Sequence, residues 1–307
     1  MPGELRIARR PTLDRPVLIA AFRGWNDGGQ AASLAAGYLA KVWDAERFAD
    51  VDPEGFFDFQ ATRPHVSLVE GVTRRIDWPE TALYHASPEG LDRDVVLLIG
   101  VEPNLRWRTF SSLIVGFANE LGVELMVTLG ALLADVPHTR PSPVTGSATD
   151  PGLVEQLGLK VSRYEGPTGI VGVLHDACRR DGLDSASLWA AVPHYVSLAP
   201  SPRAALALCD RLGTLLGVEV DTEELDEAVD SYTRQVSDAV SSDEETVAYV
   251  EELERRVDSG EEEEAEEPEP AEIDESQLPS GDALAAELSR FLEERESGNG
   301  TPPSDES

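Results

Sequence analysis

Five polar segments that follow apolar runs hold the residue types from which a site could be built. They are Trp25-Asn26-Asp27-Gly28, Glu102-Pro103-Asn104, Pro137-His138-Thr139-Arg140, Gly166-Pro167-Thr168-Gly169 and Pro193-His194-Tyr195. Two acids (Asp27, Glu102), two histidines (His138, His194) and one guanidinium (Arg140) would serve proton transfer or anion binding if the segments converged. Trp25, Asn26, Asn104 and Thr168 complete this candidate pocket. The competing reading is structural, because Pro-flanked polar residues after strands end those strands and cap the helices that follow.

The compact catalytic signatures are missing from the sequence. There is no Gly-x-x-x-x-Gly-Lys phosphate loop, no Gly-x-Gly-x-x-Gly after a strand, no Gly-x-Ser-x-Gly elbow and no His-x-x-x-His pair. Two lysines, Lys41 and Lys160, stand beside 23 arginines, so Schiff-base and P-loop mechanisms have almost no lysine to use. The Arg excess itself reads as codon bias. Cys178 and Cys209 lack metal-ligand spacing and are expected to be plain buried thiols. His65, His85 and His175 lie on strand or helix patterns and are expected to be structural or exposed. No catalytic residue, cofactor or metal is expected. The alternative is an enzyme or sensor for a small anionic ligand, held by Arg140 and the helix start at Gly28–Gln30.

The elements that must position these residues alternate between strand and helix. Pro16–Ala21 is an apolar run, followed by a turn rich in Gly, Asn and Asp. A helix then runs from about Gln30 to Trp43, with Ala31, Leu34, Ala35, Tyr38, Leu39 and Val42 on one face. This is the opening unit of an open α/β sheet, whose ligands collect at the carboxyl ends of the strands. Asn26 and Asp27 are placed to cap the helix. Residues 48–86 read as short extended runs forming an antiparallel insertion or edge. Among them are Phe56–Phe59, a hairpin turning at Glu70-Gly71, and Thr81–His85.

Val95–Val101 reads as a buried strand, and Phe110, Leu113, Ile114, Phe117 and Leu121 mark a helix closed by Gly122. The next strand is expected from Val123 to Leu129. Residues 134–150, with Pro137, Pro141 and Pro143, read as a loop. A short helix near Pro151–Leu157 and a short strand near Leu159–Tyr164 follow. A helix carrying Ile170, Leu174, Ala177 and Cys178, a strand at Ser187–Val192 and a helix opened by Ser201-Pro202 come next.

The net charge of −33 is unevenly spread. Residues 221–307 hold 31 acids against 5 arginines, a net of −26, and the other 220 residues hold 27 acids and 20 bases, a net of −7. Such a tail repels phosphate backbones and anionic lipids, so neither nucleic acid nor membrane is an expected partner. Apolar runs are roughly strand length, and Met1–Arg6 has no apolar export core, so a cytoplasmic protein is expected. The expected organisation is an α/β core over 1–220, a helical extension over 221–258 and an acidic disordered tail over 259–307. Leu225, Val229, Tyr232, Val236 and Val240 make one helical stripe of the extension, and Val247, Val250, Leu253 and Val257 a second. Near 282–296 the tail carries a short amphipathic helix, whose Leu284, Leu288, Phe291 and Leu292 are candidate partner contacts.

Taken together, Gly24–Gly28, Gly100–Asn104, Leu129-Gly130-Ala131, Pro137–Pro141, Gly166–Ile170 and Trp189–Tyr195 closely resemble the proteasome assembly chaperone 2 family, in its bacterial branch. The resemblance spans about Pro16 to Leu216. It implies a three-layer α/β/α sandwich similar to the purine nucleoside phosphorylase fold, and a homo-oligomer with three subunits as a guess at the number. It also implies a non-catalytic, assembly-chaperone-like protein whose partner is proteasome-related. The fold similarity alone suggests a nucleoside-like ligand for the small-molecule alternative. The family's chaperone side is associated with a C-terminal hydrophobic-Tyr-any-residue ending. Thr301–Ser307 lacks it, so partner contact is expected through Ala283–Leu292 instead.

Overall fold

The computed structural model describes residues 4–69, 73–148, 152, 154, 155, 160, 161 and 165–260. The Glu70-Gly71 turn, most of Pro151–Leu157 and Leu159–Tyr164, and residues 261–307, with Leu284, Leu288, Phe291 and Leu292, lie outside the described residues.

Eleven strands are described: β1 (Leu5–Ile7), β2 (Val17–Arg23), β3 (Glu46–Val51), β4 (His65–Val69), β5 (Thr73–Asp77), β6 (Thr81–Ala86), β7 (Val95–Val101), β8 (Leu125–Ala134), β9 (Val144–Ala148), β10 (Lys160–Val161) and β11 (Asp184–Pro193). Nine of them form one sheet in the order β1-β3-β6-β7-β2-β8-β11-β9-β10. Its centre, β7-β2-β8-β11, is parallel, while β6 and β9 flank that centre antiparallel. The carboxyl ends of the four central strands therefore share one edge.

The described helices are α1 (Ala31–Val42), α2 (Trp107–Glu120), α3 (Ile170–Asp181), α4 (Pro202–Leu216), α5 (Glu223–Val240) and α6 (Glu244–Ser259). Val17 through Phe22 are all buried, because a central parallel strand is covered on both faces. Val17, Ile19 and Ala21 pack with Ala32, Ala35 and Leu39 of α1 and with Ala205 and Leu208 of α4. Leu18, Ala20 and Phe22 turn the other way, against Phe110 and Ile114 of α2 and Leu174 and Cys178 of α3. Alternate side chains thus build two cores and three layers, α/β/α. Gly130 lies opposite Trp189 in register, and a Cβ there would stand 2.5 Å from the Trp189 ring. Both cysteines are buried, and burial pushes both thiols up to about 12.

Three expectations need correction. Residues 134–150 are not all loop: β8 runs on to Ala134, and β9 pairs antiparallel with β11. The composition Val-Thr-Gly-Ser-Ala gives β9 no apolar alternation to detect, and its pairing is a backbone property reinforced by Ser147 Oγ to Ser187 Oγ at 2.9 Å. Phe56–Phe59 is not extended. Asp52 caps a single 3₁₀ turn at Pro53–Gly55, which delivers Phe56 and Phe57 into the α2/α3 core. The hairpin β4-β5 is a separate two-stranded sheet and not part of the main edge. The short β1, paired with β3, has no counterpart among the expected elements.

One partly buried histidine gives the fold a pH signature. His175 is held between Thr128 Oγ1 at 3.0 Å and Ser185 Oγ at 2.9 Å, and burial pushes its pKa from 6.5 down to about 4. The unfolded chain binds the proton more tightly, so this contribution to stability is complete above pH 6.5 and is lost as the pH falls towards 4. Urea denaturation between pH 7 and 4 should therefore show a smaller acid loss for His175→Asn than for the parent. Parallel curves would contradict this.

Candidate functional site

Glu102, the first residue beyond β7, joins three strand-end segments. Its backbone N–H donates to Arg23 O at 2.9 Å, continuing the β2-β7 pairing by one residue. Its carboxylate accepts from Trp25 N at 3.2 Å through Oε2 and from Ile170 N at 2.8 Å through Oε1. The second of these satisfies a donor at the α3 N-terminus, where negative charge also meets the positive end of the helix. Glycine is needed on both sides of this contact. Gly24 sits at φ +151°, where a Cβ would stand 2.9 Å from Glu102 Cβ. At Gly169 a Cβ would lie 2.4 Å from Asn26 Nδ2 and 2.7 Å from Glu102 Oε1. Asn26 is buried, and its carbonyl accepts from Ala131 N at 2.9 Å, which ties in the β8 strand. Thr168 lies beside this group, its hydroxyl 3.5 Å from Gly169 O.

Asp27 points away from that cluster. Oδ1 accepts from Ala32 N at 2.8 Å and Ser33 N at 3.2 Å, and Oδ2 accepts from Ser33 Oγ at 2.5 Å. It is thus the cap of α1, reached across the Gly28–Gln30 turn. Burial raises its pKa, and the hydrogen bonds from Ser33 oppose that rise. Asn104 is also a tie: its Oδ1 accepts from Asp58 N and Thr62 Oγ1, each at 3.0 Å, and so holds the loop before β4.

His138, Arg140 and His194 form another group, at the ends of β8 and β11 beneath α5 and α6. The Tyr195 hydroxyl accepts from His138 N at 2.8 Å and lies 2.9 Å from Nδ1, so its single proton is free to be given to that nitrogen. Nε2 then carries the ring proton and donates to Ser237 Oγ at 3.0 Å, which assigns a neutral tautomer from the network. Burial lowers the His138 pKa, in keeping with that neutral ring. Arg140 grips Asp258 with two parallel bonds of 2.9 and 2.8 Å and reaches Glu254 at 3.3 Å, while Thr139 donates to the same Glu254. His194 pairs with Asp135 at 3.0 Å and packs edge-on against Tyr195 and Tyr249.

The nine expected pocket residues therefore divide. Trp25, Asn26, Glu102 and Thr168 come together; Asp27 and Asn104 serve as separate ties; His138, Arg140 and His194 gather under α5 and α6. Their partners Tyr195, Ser237, Tyr249, Glu254 and Asp258 were not singled out as site residues, because four of the five lie far along the chain on amphipathic helices. Among the described residues no cluster of three or more His, Cys, Asp or Glu could hold a metal, and no helix is long and apolar enough to cross a membrane.

Two open clefts, of about 430 and 560 Å³, meet at Arg23 and Val101, the last residues of β2 and β7. Neither is lined by any of the nine residues. Arg23 could have been noticed as the polar residue ending an apolar strand just before a turn. Several apolar side chains stand exposed along the same sheet edge. Trp25 is 64% exposed and Leu133 57%, with Leu132 beside it.

Removing the Glu102 tie should cost measurable stability. Glu102→Ala leaves the part-buried Ile170 amide without its acceptor, a loss of about 1–3 kcal/mol, while water can replace the acceptor of the exposed Trp25 amide. Glu102→Gln keeps one acceptor oxygen and should lose less. Urea midpoints check this, and an unchanged midpoint for Glu102→Ala would remove the tie from the account of the fold.

Known proteins match this architecture. The model of the PAC2 family matches residues 21–240. A PAC2 family protein from Streptomyces avermitilis is similar at 48% identity with a TM-score of 0.71, over 76% of this chain and 99% of that one. The proteasome-assembly chaperone homologue of Mycobacterium tuberculosis is similar at 46% identity with a TM-score of 0.70, again over 76% and 99%. An archaeal proteasome activator from Pyrococcus furiosus, at 20% identity and a TM-score of 0.63 over 76% and 97%, shares the fold. No curated protein matches the chain. The chain belongs to the PAC2 family, the proteasome assembly chaperone 2 family, alongside bacterial members that are 48% and 46% identical over 76% of it.

Proposed function

We propose that this protein is a non-catalytic binding protein with an assembly-chaperone-like role towards a proteasome-related protein partner. The observation that carries the reading is how the strand-end polar groups are used. Both oxygens of Glu102 and of Asp27, both ring nitrogens of His138 and the guanidinium fork of Arg140 are engaged in holding loops and helices together. A general acid or base needs a side chain free to face a substrate, and these four face their own backbone and helices. The exposed Trp25, Leu132 and Leu133 beside them are the kind of apolar patch that marks protein contacts. The name of the Mycobacterium tuberculosis relative as a proteasome-assembly chaperone homologue supports the choice of partner.

In this proposal the protein works in the cytoplasm as a homo-oligomer. The segment near 282–296, with Leu284, Leu288, Phe291 and Leu292, adds a second contact to the partner. The core (1–220), helical extension (221–258) and acidic tail (259–307) are taken as separate parts, of which the tail serves contact and not folding.

Affinity capture from the source cells, with the full chain and with a chain ending at residue 260, tests both parts. Proteasome-related subunits recovered by the full chain, and reduced by the truncation or by Leu288→Asp with Phe291→Asp, are the expected result. Recovery of no proteasome-related protein by the full chain would overturn the partner assignment. Equal recovery by the truncated chain would overturn the role of the tail.

A further inference from the structure

The two clefts that meet at Arg23 lie where the topology makes a ligand crevice. β2 and β7 are neighbours and parallel, with Arg23 in register with Val101. The helix after β2, α1, packs on one face of the sheet, and the helix after β7, α2, packs on the other. Adjacent parallel strands whose connections leave on opposite faces open a crevice beyond their carboxyl ends, and ligands of open α/β sheets collect there. Arg23 and Val101 form its floor and line both clefts.

The charge of this crevice runs against that of the chain. The protein carries a net charge of −33, and Arg6, Arg10, Arg15, Arg47, Arg75 and Arg106 each have a carboxylate within 4.0 Å. Among the described residues, Arg23 and Arg63 enter no such ion pair, although both are exposed and both line the larger cleft together with His65. Arg23 acts on the buried Asp27 only as a distant charge, since the bonds to Asp27 come from Ala32 and Ser33. Glu80 is the one acid lining either cleft among the described residues, and it is already paired with Arg47.

The smaller cleft has a different lining. Trp78 and Tyr84 stand in it with Leu34 and Ile99, and Trp78 is fixed by an edge contact with Phe59 at 4.8 Å. One end of the crevice thus offers two guanidinium forks, and the other offers aromatic and aliphatic walls. Two guanidiniums match a dianion, and their planar forks fit phosphate oxygens in pairs.

We propose that this crevice binds a phosphate monoester carrying a flat ring, with Arg23 and Arg63 on the phosphate and Trp78 and Tyr84 against the ring. None of the nine strand-end residues lines the site, and it does not depend on the protein-binding role. It also moves the anion site away from Arg140, whose fork is occupied by Asp258.

Isothermal titration of the full chain with AMP tests the assignment, with adenosine and inorganic phosphate as the two half-ligands. AMP should bind at least about tenfold more tightly than either half, a difference of one guanidinium–phosphate contact. Arg23→Ala should weaken AMP about tenfold or more, and Arg63→Ala several-fold. Arg23→Lys, which keeps the charge and loses the fork, should fall between parent and Arg23→Ala. Arg23 is an exposed strand terminus, so these variants should keep the parent's circular dichroism and melting temperature. No saturable AMP binding up to a few millimolar, about −4 kcal/mol, would overturn the proposal. So would adenosine binding as tightly as AMP, or AMP binding that folded Arg23→Ala leaves unchanged.

Discussion

Glu102 is the contact on which the arrangement of the strand ends depends. A single carboxylate at the end of β7 accepts from the turn after β2 and from the first amide of α3, 77 and 68 positions away in the chain, respectively. Leaving the part-buried Ile170 amide without an acceptor would cost about 1–3 kcal/mol, so the carboxylate fixes the start of α3, while its bond to the exposed Trp25 amide adds less. Its presence explains Gly24 and Gly169, because neither position has room for a Cβ next to it. The next residue after Trp25, Asn26, ties in β8 through its backbone carbonyl. The polar residues of this edge form a framework, and what a ligand or partner meets is the surface left between them.

Much of the fold was legible in the sequence because the central strands are buried on both faces. Val17–Phe22 and Val95–Leu98 are continuous apolar runs, and α2 and α3 show their apolar faces at helical spacing. Where burial did not set the pattern, the sequence was silent. β9 is built of Val-Thr-Gly-Ser-Ala and held by backbone pairing, and Phe56-Phe57 reads as extended although a capped turn makes it a core plug. The candidate site was legible as a set of segments and not as a geometry. Asp27 and Glu102 look alike in sequence, each an acid after a strand. One turns back to cap its own helix, and the other reaches across to a distant one. His138 and Arg140 gave no sign of their partners, because Ser237, Glu254 and Asp258 lie about a hundred residues away.

The positive charge of the chain is used in two ways. Most arginines are neutralised at the surface by nearby acids, exposed pairs that individually contribute little to stability. Arg140 is different in geometry, since its bidentate grip on Asp258 fastens α6 over the ends of β8 and β11. Arg23 and Arg63 are among the described arginines without a carboxylate partner, and these two lie at the crevice where the sheet topology changes direction. The same edge exposes Trp25, Leu132 and Leu133. One end of the sheet therefore presents an apolar patch and a positively charged crevice as two separate surfaces.

Site-specific photo-crosslinking in living cells tests most directly whether the apolar strand edge is a protein-contact surface. A photoreactive residue in place of Leu133, which is exposed at the end of β8, reports what lies against that edge without disturbing the polar framework. The expected result is a crosslink to a proteasome-related subunit, absent when the same probe replaces the exposed Val257 on α6. A Leu133 probe that captures no protein, or captures the same proteins as the Val257 probe, would contradict the claim.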